Sequence, residues 1–259
     1  MSYRPAAILA IAVLPMAFGG PADSFDKAIK ALASKDYAGA FGNMEAAIKE
    51  DPESLKYASE YRMAVIAAAK QLHPKEGKPD DYERCIKFFE HLTAERPSAW
   101  VAWLNYGFAY VDQIPAAGAI TQVILANTAL GYFTKSIEAK PSWIAYYTRG
   151  AAYLFWPKIF GRAPLAVADL EQAMKIQKSQ PKQPYHLRGY VALGDAYWKN
   201  DELEKARALW QGGLAQFPDA TALKDRLAKQ GDDLKAYLDD VLDPTKRVDT
   251  DLRPLWSVQ

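Results

Sequence analysis

Apolar and small residues recur along the chain in a block whose clearest copy runs from Leu187 to Pro218. Leu193-Gly194 lie one helical turn before Tyr197, and Ala206, Trp210 and Gly213 follow at helical spacing. Asn200-Asp201 falls between the two periodic runs and reads as a turn. Pro218 closes the second run, because proline cannot extend a helical hydrogen-bond ladder. The pattern predicts two antiparallel helices joined by a short turn. Gly194 and Ala206 have little or no side chain, so the helices approach closely there. Tyr190, Leu193, Tyr197 and Trp210 fill the space around that contact.

A single block of this kind arises by chance, so recurrence carries the argument. From Ser24, the residues Ala28, Ala40, Met44, Ala47 and Pro52 keep the same spacing around an Asp36-Tyr37 turn. Tyr61, Cys85, Phe89, Leu92 and Pro97 follow once the polar stretch His73 to Asp81 is treated as an insert. A third block has Trp103, Tyr106, Gly107, Tyr110, Ala129, Phe133, Ser136 and Pro141, enlarged through Gln113 to Thr121. A fourth has Tyr146, Gly150, Tyr153, Ala166, Leu170 and Ala173, enlarged through Trp156 to Arg162. Its closing proline is displaced from Lys178 to Pro181.

The block resembles the tetratricopeptide repeat, whose 34-residue pattern is W-x2-L-G-x2-Y, then Ala, Phe and Pro. Tyr190 stands where that pattern has Trp, Trp210 where it has Phe, and Gly213 where it has Ala. No stretch shows β-type runs joined by hairpin turns. The expected fold is therefore all-α. The resemblance makes it an α-solenoid, a right-handed superhelix of about five helix-turn-helix units over residues 23–218, with a capping helix over 219–242. Leu223, Leu227, Leu234, Tyr237, Leu238 and Leu242 supply the apolar face of the cap, and Gly231 is placed to kink or divide it. Residues 243–259 form a tail without helical pattern. Leu252, Leu255 and Trp256 favour its docking back on the solenoid.

Ahead of the repeats, Arg4 is followed by an uncharged, mostly apolar run from Ala6 to Phe18 and by small Gly19, Gly20 and Ala22. That is the layout of an export signal over residues 1–22, with cleavage expected after Gly19 or Ala22. The run is shorter than the roughly 20 apolar residues of a membrane-spanning helix, so no membrane insertion is expected once the signal is removed. The expected location is an exported compartment, the periplasm or the extracellular space.

Composition then removes whole classes of function. The chain has 259 residues, 50% of them hydrophobic, which marks a globular protein. Its 32 basic and 31 acidic residues nearly balance, and loss of Arg4 with the signal balances them fully. No basic excess is present of the kind nucleic-acid binders carry. The lone Cys85 excludes an intramolecular disulfide and any cysteine-rich metal site, and it falls at a small-residue position where a packed thiol is expected. His73, His91 and His186 lie far apart, with His91 and His186 expected on helix surfaces or ends. No nucleophile elbow, phosphate loop or H-E-x-x-H motif is present. The adjacent carboxylates Asp80-Asp81, Asp232-Asp233 and Asp239-Asp240 do not face one another on a helix. No catalytic residue, metal or cofactor is expected, and the protein is not expected to be an enzyme.

Function must then come from a surface. The resemblance implies a concave groove lined by the first helix of each pair. The groove-facing positions are Lys56, Ser59, Met63, Ile66 and Ala67 in the second block and Val101, Leu104, Phe108, Val111 and Asp112 in the third. The fourth offers Ile144, Tyr147, Ala151, Leu154 and Phe155, and the fifth Arg188, Val191, Asp195, Trp198 and Lys199. The candidate binding set is Phe108, Tyr147, Phe155, Arg188, Trp198 and Lys199. It lacks the Lys/Asn set with which some family members hold a peptide's terminal carboxylate. The leading expectation is a non-catalytic scaffold that binds a protein or peptide in an aromatic-lined groove. The alternative is a carrier of a small apolar ligand, associated with a transport system, in which the inserts narrow the groove into a pocket. An open trough favours the first reading and an apolar cavity the second. Aromatics at helical spacing also pack inward, so the same residues would be core if the superhelix were tight.

Overall fold

The computed structural model describes residues 20–72, 82–243 and 250–258. The apolar run of the export signal, the insert from His73 to Asp81 and residues 244–249 of the tail lie outside the described residues. Pro21–Ala33 (α1) is followed by Tyr37–Glu50 (α2), Leu55–Leu72 (α3) by Glu83–Glu95 (α4), and Trp100–Val111 (α5) by Ala119–Ala139 (α6). Trp143–Leu154 (α7) is followed by Ala163–Lys178 (α8), and His186–Lys199 (α9) by Leu203–Gln216 (α10). Thr221–Ala228 (α11) and Gly231–Val241 (α12) end the stack. From α1 to α11 each helix packs on the next, and first helices of neighbouring pairs also touch, α3 on α5 and α7 on α9. No strand occurs among the described residues. This is an all-α solenoid, in which each pair buries its apolar face on its neighbours.

The boundaries follow from local chemistry. Asp36 caps α2, its carboxylate accepting a hydrogen bond from the Gly39 amide at 3.0 Å, and the Ser142 hydroxyl caps α7 through the Ala145 amide at 3.3 Å. Asp201 adopts a left-handed φ of 63° in the turn between α9 and α10, a conformation that Asn and Asp tolerate best among residues with a side chain. The helices α2, α4, α6 and α10 end just ahead of Pro52, Pro97, Pro141 and Pro218.

The repeat positions are the core. Ala40, Cys85, Ala129, Ala166 and Ala206 are buried, as are Met44, Phe89, Phe133, Leu170 and Trp210 one turn further on. The first helices answer with small residues. A Cβ on Gly107 would meet Phe133 Cε1 at 2.5 Å, and one on Gly194 would meet Trp210 Nε1 at 2.0 Å. Burial pushes the Cys85 thiol well above the usual range, which keeps it protonated and inert as a nucleophile.

The expected capping helix is two helices. The chain takes a positive φ of 49° at Gly231, which divides α11 from α12. The cap is tied down by charge: Arg226 of α11 donates to both carboxylate oxygens of Asp195 on α9 at 2.6 and 2.7 Å, with both side chains buried. A second such pair joins α7 to α8, Arg149 donating to both oxygens of Asp169 at 2.7 Å and to the Thr134 hydroxyl of α6 at 2.9 Å.

Candidate binding groove and cavity

The side of the solenoid formed by the first helices is partly filled by the chain's own end. Residues Arg253–Val258 form a short 3-10 helix that packs on α3 and α7. Arg253 donates to both oxygens of Glu60, at 3.0 Å for the longer bond. The Trp256 indole N–H donates to the Ser59 hydroxyl at 2.8 Å, and Leu252 and Leu255 are buried. Beneath them lies a charged network with no access to water. Arg62, fully buried, donates to Asn105 Oδ1 at 2.9 Å, to Asp112 Oδ2 at 2.5 Å and to the Thr250 carbonyl at 2.9 Å. The Thr250 hydroxyl donates to Asp112 Oδ1 at 2.7 Å, so the tail completes the hydrogen bonds of a buried ion pair.

Beside the tail, α5, α6 and α7 border a half-open cavity of about 400 Å³. Phe108 and Val111 come from α5, Val123, Ala126 and Leu130 from α6, and Tyr147, Thr148, Ala151 and Ala152 from α7. Two inserts and the tail supply the remaining walls: Ile114 before α6, Trp156, Pro157 and Phe160 after α7, and Asp251, Leu252 and Leu255. The insert before α6 is fastened by the Gln122 amide, which donates to the carbonyls of Ile114 at 3.1 Å and Ala117 at 2.9 Å. The lining is mostly apolar, with polar groups from Gln122, Thr148, Arg188 and Asp251, the Tyr147 hydroxyl and the Trp156 indole N–H. Around the mouth the inserts leave apolar side chains in solvent, with Phe160 53% and Val123 44% exposed.

A second, more polar cavity of about 490 Å³ shares Phe155 and Pro157 with the first and continues to the C-terminal end. Trp198, Lys199, Lys158, Lys235, Asp201, Asp239 and Leu242 line it. Lys199 donates to the Leu154 carbonyl, and burial lowers its pKa against the opposing effect of Asp239. Lys158 pairs with Asp201 and Lys235 with Asp239, so the charges of this cavity are largely spent on one another.

No protein-family model matches the chain, and no curated protein matches it. Solved structures do. A thermophilic tetratricopeptide-repeat protein of Thermus thermophilus is 19% identical, with a TM-score of 0.51 over 81% of this chain and 97% of that one. The fold is the tetratricopeptide-repeat solenoid. The MamA protein also matches, at 15% identity and a TM-score of 0.48, over 82% of this chain and 96% of that one.

The tetratricopeptide-repeat register brings the six candidate residues to two adjoining places. Phe108, Tyr147, Phe155 and Arg188 line the first cavity, and Phe155, Trp198 and Lys199 the second. Their burial differs. Phe108 is buried under the Arg62 guanidinium, 4.7 Å from its ring centroid, and packs edge-on against Phe133, so it is core and cavity wall at once. Tyr147 is half-buried and stacks on Trp143 with centroids 4.8 Å apart. Phe155 and Trp198 are half-buried as well.

Other positions expected in the groove are not open. Val101, Leu104, Ile144 and Leu154 are buried between neighbouring helices. Asp195 lies beneath Arg226, whose side chain reaches from α11 to α9, and Ser59 and Asp112 are covered by the tail. His186 starts α9 as expected of a helix end, yet it is buried against Trp143 and Tyr185 rather than on the surface. His91 is exposed and faces Glu95 at 3.2 Å. The residue that sequence reasoning missed is Arg62. It stands where the other units carry Ala28, Gly107, Gly150 and Gly194, and a charge at a small-residue position was the available signal. Among the described residues no three His, Cys, Asp or Glu side chains gather as metal ligands, and no helix is long and apolar enough to cross a membrane.

Proposed function

We propose that the protein is a non-catalytic binding module that holds a partner polypeptide along the C-terminal half of its inner surface, outside the cytoplasm. The observation that carries this reading is the tail. The inner surface already accommodates a polypeptide end, the short 3-10 helix of the tail, through a bidentate Glu60–Arg253 pair, an indole bond to Ser59 and two buried leucines. The half left open presents Tyr147, Phe155 and Trp198 as half-buried aromatic anchors, the side-chain type that carries most of the energy in such contacts. Binding is weakly salt-dependent on this reading, because the charges nearby are paired. The test is capture of partners by the full chain beside Tyr147→Ala and Trp198→Ala, with melting measured on the same samples. Loss of an anchor weakens capture by roughly 1–4 kcal/mol. Collapse of stability with normal capture by the remaining folded protein assigns the aromatics to the core and ends the reading.

Export rests on the run from Ala6 to Phe18 and its small-residue flank. Because α1 begins at Pro21, cleavage after Gly19 spares the whole helix, whereas cleavage after Ala22 removes its first residues. The recovered N-terminus is expected near Gly20 or Asp23, and a cytosolic product starting at Met1 or Ser2 would refute export. One observation favours the second reading, a carrier of a small apolar ligand: the cavity of about 400 Å³ lies within the roughly 300–1,000 Å³ of small-molecule sites.

A further inference from the structure

We propose that the cavity between α5, α6, α7 and the tail binds an aliphatic monocarboxylate, its chain among the apolar walls and its carboxylate on Arg188. The proposal rests on the small-ligand reading and names the chemistry of the ligand. The first argument is the state of Arg188. It projects from the first turn of α9 into the cavity lining and is half-buried. Every other arginine around this surface has an acceptor: Arg62 has Asp112, Arg149 has Asp169, Arg226 has Asp195 and Arg253 has Glu60. Among the described residues, Arg188 has no side-chain hydrogen bond or ion pair. A guanidinium half-buried among apolar walls is stabilised when a planar anion occupies its paired N–H groups, and a carboxylate fits that fork in bidentate fashion.

The second argument is what else the walls offer. Asp251 shares the lining, but its carboxylate is already engaged by the tail: it accepts from the Arg253 amide at 2.9 Å and lies 3.3 Å from the guanidinium that Arg253 also presents to Glu60. The Gln122 amide N–H groups are taken by the Ile114 and Ala117 carbonyls. That leaves the Thr148 hydroxyl and the Trp156 indole N–H as the uncharged side-chain groups able to hydrogen-bond a guest. A peptide side chain reaches in from the groove without its backbone, but a peptide backbone drawn inside would leave most of its amides without partners, which is unfavourable by roughly 1–3 kcal/mol for each on protein scales. A hydrocarbon chain has no such groups. A neutral hydrocarbon, conversely, would strip water from Arg188 and return nothing. The apolar side chains exposed at the mouth, Val123 and Phe160, mark a route of entry for a chain of this kind.

The experiment is calorimetric titration of the delipidated full chain with dodecanoate and with dodecanol, followed by Trp fluorescence, since Trp156 lines the cavity. Dodecanoate is expected to bind at one site, about tenfold or more tighter than dodecanol. Arg188→Gln removes that preference while dodecanol binding is unchanged. Ala151→Phe fills the cavity and abolishes binding of both without changing the melting temperature by more than a few degrees. Equal affinity for the acid and the alcohol overturns the carboxylate assignment and leaves the apolar-ligand reading standing. Absence of binding by either overturns both. Dodecanoate binding that survives Ala151→Phe in folded protein places the ligand elsewhere and overturns the site.

Discussion

A Cβ on Gly194 would stand 2.0 Å from Trp210 Nε1, far inside van der Waals contact, and Trp210 is fully buried with nowhere to move. Gly194→Leu is therefore expected to cost more than the about 1–3 kcal/mol of ordinary overpacking, read from urea denaturation. A variant as stable as the parent would mean that α9 and α10 do not meet there. This contact was legible in the sequence because it repeats: a glycine faces a large apolar residue at the same two positions in other units, as Gly107 faces Phe133 and Gly150 faces Leu170. His186 was not legible, because its burial depends on Trp143 and Tyr185, which belong to no repeat position of its own unit. Burial lowers the His186 pKa below its ordinary value, while its Nδ1 accepts from the Gln183 amide at 3.2 Å. The unfolded chain then binds more protons than the folded one between the two pKa values. Stability is present in full above the ordinary histidine value and is lost as pH falls through it toward the folded value. His186→Phe should flatten this acid-side loss, seen as a smaller drop in urea midpoint from about pH 7 to 5. Parallel profiles for the two proteins would contradict it.

Among the elements, the tail is the one whose place no periodicity announces. Its apolar residues suggest docking, but the partner of Thr250 is Arg62, 188 positions earlier, and helical spacing speaks only of near neighbours. The cap departs from expectation for a related reason. Asp195 holds a groove position in the repeat, yet Arg226 from α11 reaches over it, and which helix covers a terminal unit is not written in the repeat itself. The two arginines at the junction of tail and solenoid, Arg62 on α3 and Arg253 in the tail, separate burial from mere pairing. Arg62 is fully buried, so Arg62→Ala strands the Asp112 carboxylate and is expected to destabilise by about 3–5 kcal/mol. Arg253 is 48% exposed, and Arg253→Ala should cost only about 0–1 kcal/mol although its bond to Glu60 is bidentate. Guanidinium denaturation of the two variants checks this. Comparable losses would show that the Arg62 network is wet.

At the scale of the whole molecule, a solenoid is nearly one-dimensional: each pair contacts its neighbours, and distant units unfold with little regard for one another. The tail breaks that rule. It leaves the C-terminal cap and returns to α3 and α5, so contacts of the second and third units depend on a segment from beyond the sixth pair. A chain ending at Leu242 keeps α1 to α12 but loses the tail's 3-10 helix, with Thr250 gone from the Arg62–Asp112 pair and the buried Leu252 and Leu255 from the cavity wall. Each polar group left buried without its partner is unfavourable by about 1–3 kcal/mol. That loss falls on one end of the stack. Native-state hydrogen exchange should show amide protection falling in α3 and α5 of the truncated chain, while α9 and α10, held by Trp210 and the Asp195–Arg226 pair, keep theirs. A uniform fall along all the helices would mean that the stack is a single cooperative unit without the tail. Unchanged protection in α3 would mean that the tail lies on the solenoid without supporting it.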